Sequence, residues 1–265
     1  MRGSFLLASK RFQQRNIFSK NTNTIQMQPL TLTLPPWSTK GGGDRKNVMG
    51  DLYYNVVHAI GSAIIRVSSR PTILHRERLD RPGAYLLAST HLSPFDVPLL
   101  MRHAPRKLDF VSIVEVFRNP FVAWFYGSMN AFPLDRSKPD GPTVRIILDR
   151  LERGRVVAMF PEGNIRRLED SVLNGGRMRP GAARIAQIAN VPVLPAVVVN
   201  AHAYQKIGAW LPLGRIRYGV IFGEPIRIRS DLEKTEANKL MEADLRAAFV
   251  NLHRELLDAM AVKSN

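Results

Sequence analysis

The sequence predicts an α/β fold: a single domain with a largely parallel mixed sheet flanked by helices. Two observations carry that expectation. Short apolar runs closed by turn residues recur at 84–89, 107–113, 155–160, 193–199 and 216–222, each the length of a buried strand. Segments of helical length and spacing fall between them, and strands alternating with helices argue for layers packed on a mostly parallel sheet. The chain has 265 residues, 45% of them hydrophobic, which is enough for one sizeable core.

From the N-terminus, residues 1–45 read as a basic tail, either disordered or resembling a transit peptide, and 46–265 as the folded domain. The first 43 residues hold Arg2, Lys10, Arg11, Arg15, Lys20 and Lys40 with no acidic residue, are rich in Ser, Asn and Gln, and end in three glycines. Met27 as the true start is a further reading of the same segment. Next, 48–67 is apolar but interrupted by Asp51, Asn55 and His58, too polar for the ~20 uninterrupted apolar residues of a bilayer span. Leu52, Val56, Ala59, Ile60, Ala63 and Ile64 instead recur at helical spacing, predicting an amphipathic helix that packs on the domain or lies on a membrane.

After the strand at 84–89, Ser93 as N-cap and Pro94 at the first helical position open a helix through Met101. A strand at 107–113 leads to an aromatic stretch around Phe117, Phe121, Trp124, Phe125 and Tyr126. A helix at 143–153 stops at Gly154, and the strand 155–160 follows. A helix at 182–190 precedes the strand 193–199, and a long amphipathic helix at 232–260 ends the chain.

The absence of cysteine excludes disulfides, thiolate metal sites and a cysteine nucleophile. A net charge of +16, +10 of it outside the first 43 residues, attracts polyanions: an anionic bilayer, a phosphorylated substrate or nucleic acid. Against nucleic acid, no recognition motif with aromatics interleaved among basic residues is present.

Four segments carry chemistry. His91 follows a buried strand and Asp96 comes five residues later, close enough along a helical turn for the carboxylate to reach the imidazole. A carboxylate-oriented histidine suits general-base work. Ser93 and Asp96 equally satisfy a capping box, which accounts for Asp96 without catalysis. Second, Phe160-Pro161-Glu162-Gly163-Asn164 leaves another strand, followed by Arg166, Arg167, Arg177 and Arg179. Glycine beside a carboxylate allows close backbone approach and arginines suit phosphate, while a tight turn before a solvated basic loop explains the same residues. Third, Gly127 to Arg136 ends in Asp135-Arg136, a phosphate clamp or a surface pair. Fourth, Val191-Pro192-Val193-Leu194-Pro195 is a strand entry that suits an acyl-chain wall or plain core. The histidines at 58, 75, 103, 202 and 253 show no partner pattern.

In this order and spacing the four blocks resemble the signature of the glycerolipid acyltransferases, in their lysophosphatidic acid acyltransferase branch. The resemblance runs from about Tyr85 to Ala196, and Phe222-Gly223-Glu224-Pro225-Ile226 is similar to the family's closing strand. It implies His91 as general base and Asp96 as its orienting partner. It also implies that Arg136, Glu162 and Gly163 bind the acceptor's glycerol phosphate, and that the block ending at Pro195 shapes the acceptor or acyl site. The third block departs from the family pattern: Asn164-Ile165 replaces the usual Thr-Arg or Ser-Arg, so the phosphate contact expected there falls to Arg166 or Arg167.

The implied reaction moves a fatty acyl group from acyl-CoA or acyl-carrier protein to 1-acylglycerol 3-phosphate, with no cofactor and no metal. Another lysophospholipid or an aminolipid is the alternative acceptor. The implied partners are an anionic membrane surface, the lysophospholipid and the acyl donor, with no nucleic acid. The implied location is peripheral on the cytoplasmic face of a membrane, or on an organelle membrane if 1–45 is a transit peptide.

Overall fold

The structure is a computed structural model that describes residues 48–113, 131–134, 141–213 and 216–263. Residues 1–45, the aromatic positions 117–126 and Arg136 lie outside them. All described residues belong to the compact unit Gly42–Asn265.

Five helices are described: α1 Val48–Ser68, α2 Asp96–His103, α3 Gly141–Glu152, α4 Gly181–Ala189 and α5 Lys234–Val262. They surround a seven-stranded sheet of β1 Thr72–Leu74, β2 Tyr85–Ser89, β3 Leu108–Ile113, β4 Phe132–Leu134, β5 Val156–Met159, β6 Val193–Val199 and β7 Gly219–Phe222. The strand order is β1-β7-β6-β2-β5-β3-β4. Among the described strands the β6–β7 pairing is antiparallel and the other five pairings are parallel. The expected largely parallel mixed sheet is therefore what forms. All five anticipated strands are present, while β1 and β4, three residues each, carry no periodic signal long enough to read.

Every residue of β2 is buried, as expected for a central parallel strand covered on both faces. Alternate side chains divide between two cores. Tyr85 and Leu87 face α1, α2 and the 3₁₀ segments Ala201–Gln205 and Ile207–Trp210. Leu86 and Ala88 face α3, α4 and α5. Along α5, Met241, Leu245, Phe249, Leu252 and Leu256 recur at helical spacing and are all buried against that second face. Fully burying side chains of this kind contributes roughly 1.5–3 kcal/mol each.

The short helix α2, which begins at Asp96, is held firmly at its far end. His103 is buried, its Nε2 hydrogen-bonds to the Tyr218 hydroxyl at 2.9 Å, and its carbonyl accepts from Arg76 Nε at 2.8 Å. Burial, reinforced by Arg102 and Arg76, lowers the His103 pKa from 6.5 to about 4. The unfolded chain therefore binds the extra proton between those values, so stability is full above pH 6.5 and falls as pH drops toward 4. At about 1.4 kcal/mol per pH unit, the full loss is on the order of 3 kcal/mol. Urea unfolding at pH 7 and pH 4.5 should show this loss in the parent chain and a clearly smaller one in His103→Gln. Equal pH losses in both would assign the acid sensitivity elsewhere.

Candidate active site

Parallel pairing brings the exits of β2 and β5 together. Ala88 lies opposite Met159 in register, and the same offset continued three residues past that pair sets His91 opposite Glu162. The His91 backbone N–H donates to Glu162 Oε2 at 2.8 Å. The other carboxylate oxygen, Oε1, accepts from Val172 N–H at 2.6 Å. Glu162 is 1% exposed, so both of its oxygens face donors inside the protein. Burial pushes its pKa up, opposed by those two N–H bonds. The His91 carbonyl in turn accepts from Arg166 N–H at 2.8 Å, which anchors the His91 turn on both sides of one residue.

Asp96 organises the other side of His91. Its Oδ2 lies 3.1 Å from His91 Nδ1 and accepts from the N–H groups of Leu92 at 2.8 Å and Ser93 at 2.9 Å. The carboxylate is wholly buried, and burial raises its pKa against the opposing bonds from His91, Ser93 and Leu92. One oxygen thus orients the imidazole and closes the turn at once. Of the expected capping box, the Ser93 N–H to Asp96 carboxylate half is present and the Ser93 Oγ to Asp96 N–H half is not.

The helix start differs from expectation. Residues 93–96 first form a turn, with Asp96 N–H donating to Ser93 O at 3.2 Å, and α2 begins at Asp96 rather than Pro94. Ser93 Oγ accepts from Phe95 N–H, one residue earlier than a capping box at that position would place it. This turn keeps the Asp96 carboxylate directed back toward His91.

The imidazole stacks on Phe160, with ring centroids 3.9 Å apart and planes 14° from parallel. Phe160 stacks further on Phe110. With Nδ1 turned to Asp96 and the ring flat on Phe160, the side chain keeps 15% of its surface exposed. A buried carboxylate behind a partly exposed imidazole is the arrangement that takes a proton from a bound hydroxyl.

The remaining anticipated residues separate. Gly163 adopts φ +75° next to Glu162, in the left-handed region that glycine enters without strain. Arg166 is half-buried beside His91, whereas Arg167 is exposed and precedes the 3₁₀ turn Leu168–Asp170. Pro195 lies within β6, where its neighbours Leu194 and Ala196 join the core that includes Phe110. Pro195 itself points the other way, against Gly223 and near Leu252 of α5. Strand alternation therefore puts it on the sheet face opposite His91 and Phe160.

Sequence reasoning missed Phe160 as the bed of the imidazole and Val172 as the second donor to Glu162. The Phe160 signal was present, since it ends a strand immediately before Glu162. Val172 carried none, because a backbone N–H has no side-chain signature.

Residues 70–199 match the Acyltransferase family model. A Bacillus subtilis (strain 168) protein named 1-acyl-sn-glycerol-3-phosphate acyltransferase is 29% identical over 155 residues, covering 58% of this chain and 72% of that protein. A Streptococcus pneumoniae (strain ATCC BAA-255 / R6) protein of the same name is 29% identical over 153 residues, 57% of this chain and 52% of that one. The chain thus spans about half the length of the second relative. The crystal structure of the 1-acyl-sn-glycerophosphate (LPA) acyltransferase PlsC from Thermotoga maritima shares the fold, with a TM-score of 0.55 at 19% identity over 82% of this chain and 84% of that one. A buried-carboxylate histidine at the exit of a parallel strand, inside the matched segment, accords with these likenesses: residues 70–199 form an acyltransferase family domain.

Proposed function

We propose that the protein transfers a fatty acyl group from a thioester, acyl-CoA or acyl-carrier protein, to the free hydroxyl of 1-acylglycerol 3-phosphate. The observation that carries this reading is the His91 Nδ1–Asp96 Oδ2 contact of 3.1 Å at the head of α2. Supporting it, two relatives bear the name of that activity.

In the proposed reaction Nδ1–H donates to Asp96, which leaves Nε2 as the base. Nε2 takes the proton of the acceptor hydroxyl as its oxygen attacks the thioester carbonyl. The new C–O ester bond forms, the C–S bond breaks, and the proton passes from the imidazolium to the departing thiolate. The carboxylate stabilises the transient positive charge on the ring. Glu162 acts one step back, holding the His91 backbone where Nε2 meets the hydroxyl. A chain without cysteine has no Cys-acyl intermediate, and direct transfer needs none.

We further propose that the enzyme works on an anionic membrane surface. Residues Val56, Ile60, Ile64 and Val67 form an exposed apolar stripe on α1, on the side away from buried Tyr54 and Ile65. The 3₁₀ turn Ile207–Trp210 packs against α1, and this turn and the loop after it expose Ile207, Leu211 and Leu213. Among the described residues no helix is long and apolar enough to cross a membrane. An apolar patch on a chain of net charge +16 suits an anionic interface, where each nearby basic residue contributes about 1 kcal/mol.

Three outcomes check these proposals. The His91→Ala chain, incubated in detergent with lysophosphatidic acid and each thioester, should lose phosphatidic acid formation by roughly 10²–10⁴-fold while keeping its circular dichroism. Thiol release equal to that of the parent chain would remove His91 from the mechanism. Glu162→Gln keeps the volume but turns an NH₂ toward a backbone N–H. It should lower kcat about tenfold and leave KM for lysophosphatidic acid within about twofold. A raised KM at constant kcat would instead make Glu162 an acceptor contact. In flotation with vesicles containing phosphatidylglycerol, replacing Val56, Ile60 and Ile64 together by Gln should shift most of the protein out of the lipid fraction. Undiminished flotation would place the membrane face elsewhere.

A further inference from the structure

The third sequence block has Asn164-Ile165 after Gly163 where the family pattern sets an arginine, and the next arginine, Arg166, is tied to the His91 turn through its backbone. Its backbone N–H holds the His91 carbonyl, and its side-chain Nε is buried without a hydrogen-bond partner. Another cation stands at the same turn. Arg179 lies sixteen positions beyond Gly163 in sequence, yet its side chain crosses directly over that glycine. A Cβ on Gly163 would stand 2.5 Å from Arg179 Nε, 3.0 Å from Cδ and 3.2 Å from Cζ. Only the missing side chain makes room for the guanidinium there. The Arg179 backbone is fixed as well, its N–H donating to Pro161 O at 2.8 Å across the same turn.

We infer that Arg179, seated over Gly163, is the cation that receives the acceptor's phosphate monoester. This inference rests on the acceptor proposed above and names the residue that selects it. Arg179 is exposed, and among the described residues no carboxylate pairs with it. The adjacent Glu162 carboxylate is turned inward to the N–H groups of His91 and Val172. The guanidinium therefore keeps its charge and its planar fork for a ligand, and that fork matches two oxygens of a phosphate. The placement also follows the substrate's shape. In 1-acylglycerol 3-phosphate the phosphate hangs from the carbon next to the one bearing the reactive hydroxyl. A hydroxyl at His91 Nε2 then leaves the phosphate near the Phe160–Gly163 turn, which His91 shares with Glu162. Gly163 thus serves twice: it takes the left-handed φ of the turn, and it opens the space that Arg179 fills.

The test uses the full chain and two readouts. Steady-state kinetics with lysophosphatidic acid and an acyl thioester separates KM from kcat. Calorimetric titration with water-soluble 1-hexanoyl-lysophosphatidic acid measures binding without turnover. Arg179→Gln should raise both KM and Kd by about 10- to 100-fold, as for loss of charged hydrogen bonds, with kcat within about threefold. Arg179→Lys, which keeps the charge and loses the fork, should fall between. Gly163→Ala should move KM and Kd the same way by displacing the guanidinium, and the double variant should be no worse than the poorer single one. Unchanged KM and Kd in Arg179→Gln would overturn the inference, as would a fall in kcat alone, which would make Arg179 a structural element of the turn. If the parent chain binds hexanoyl-lysophosphatidic acid through Arg179 but forms no phosphatidic acid, the proposed reaction fails and the phosphate site stands. If it forms phosphatidic acid equally well without Arg179, the reverse holds.

Discussion

A carboxylate with no surface exposed to water must find its donors inside the protein, and the site is arranged around two such groups. Asp96, wholly buried, gathers two backbone N–H groups and the His91 imidazole at one oxygen. Glu162, 1% exposed, gathers the N–H groups of His91 and Val172 at two. Burial pushes both carboxyls toward the neutral form, and these donors, with the nearby charges of His91 and, for Glu162, Arg166, oppose it. Removing donors from a buried charge costs several kcal/mol, so the turns that supply them are held as firmly as any core contact. Among the described residues His91 is the one bound to both carboxylates, by its ring to Asp96 and by its backbone to Glu162.

The sheet order is what allows that double hold. β2 lies between β6 and β5 and runs parallel to both, so its exit emerges beside theirs. In an antiparallel pair the end of one strand meets the beginning of the other, and Glu162 would lie a strand length from His91. Parallel pairing also needs cover on both faces, which the two cores provide. The aromatic bed follows from the same alternation. Phe160 comes two residues after Ala158 on β5, so its ring joins the face that receives the His91 imidazole. Ring position, carboxylate contacts and strand register are thus three consequences of one topology.

Much of this was legible in the sequence because the signals were local. The strands at 84–89, 107–113, 155–160 and 193–199 are continuous apolar runs, and each formed within a residue or so of its expected bounds. The His91–Asp96 pair was legible because five residues of turn hold both partners. Illegible were contacts whose partners lie far apart in the chain: His103 with Tyr218, His75 with Glu255, His58 with the Met101 carbonyl. Pro195 shows a different limit. Its block was recognisable, but period-two alternation decides the face of a strand residue, and the motif alone does not give the phase. The start of α2 shows a third, since Ser93 and Pro94 are proper cap residues and the turn closed by Asp96 N–H overrode them.

Division of labour between Glu162 and its neighbours follows from charge. A carboxylate repels a phosphate at any distance that matters, and one whose oxygens already meet two N–H groups gains nothing by turning outward. In the proposed reaction the same short segment nevertheless has to serve a phosphorylated acceptor. Glycine at 163 resolves that opposition, because a Cβ there would occupy the place where the Arg179 side chain now lies. With hydrogen in its place, a guanidinium from the loop before α4 reaches the turn and the anion stays beneath it. A Glu-Gly pair at the end of β5 therefore reads as two instructions, one inward to hold the His91 turn and one outward to admit a cation. Neither works without the sheet register that places the pair beside His91.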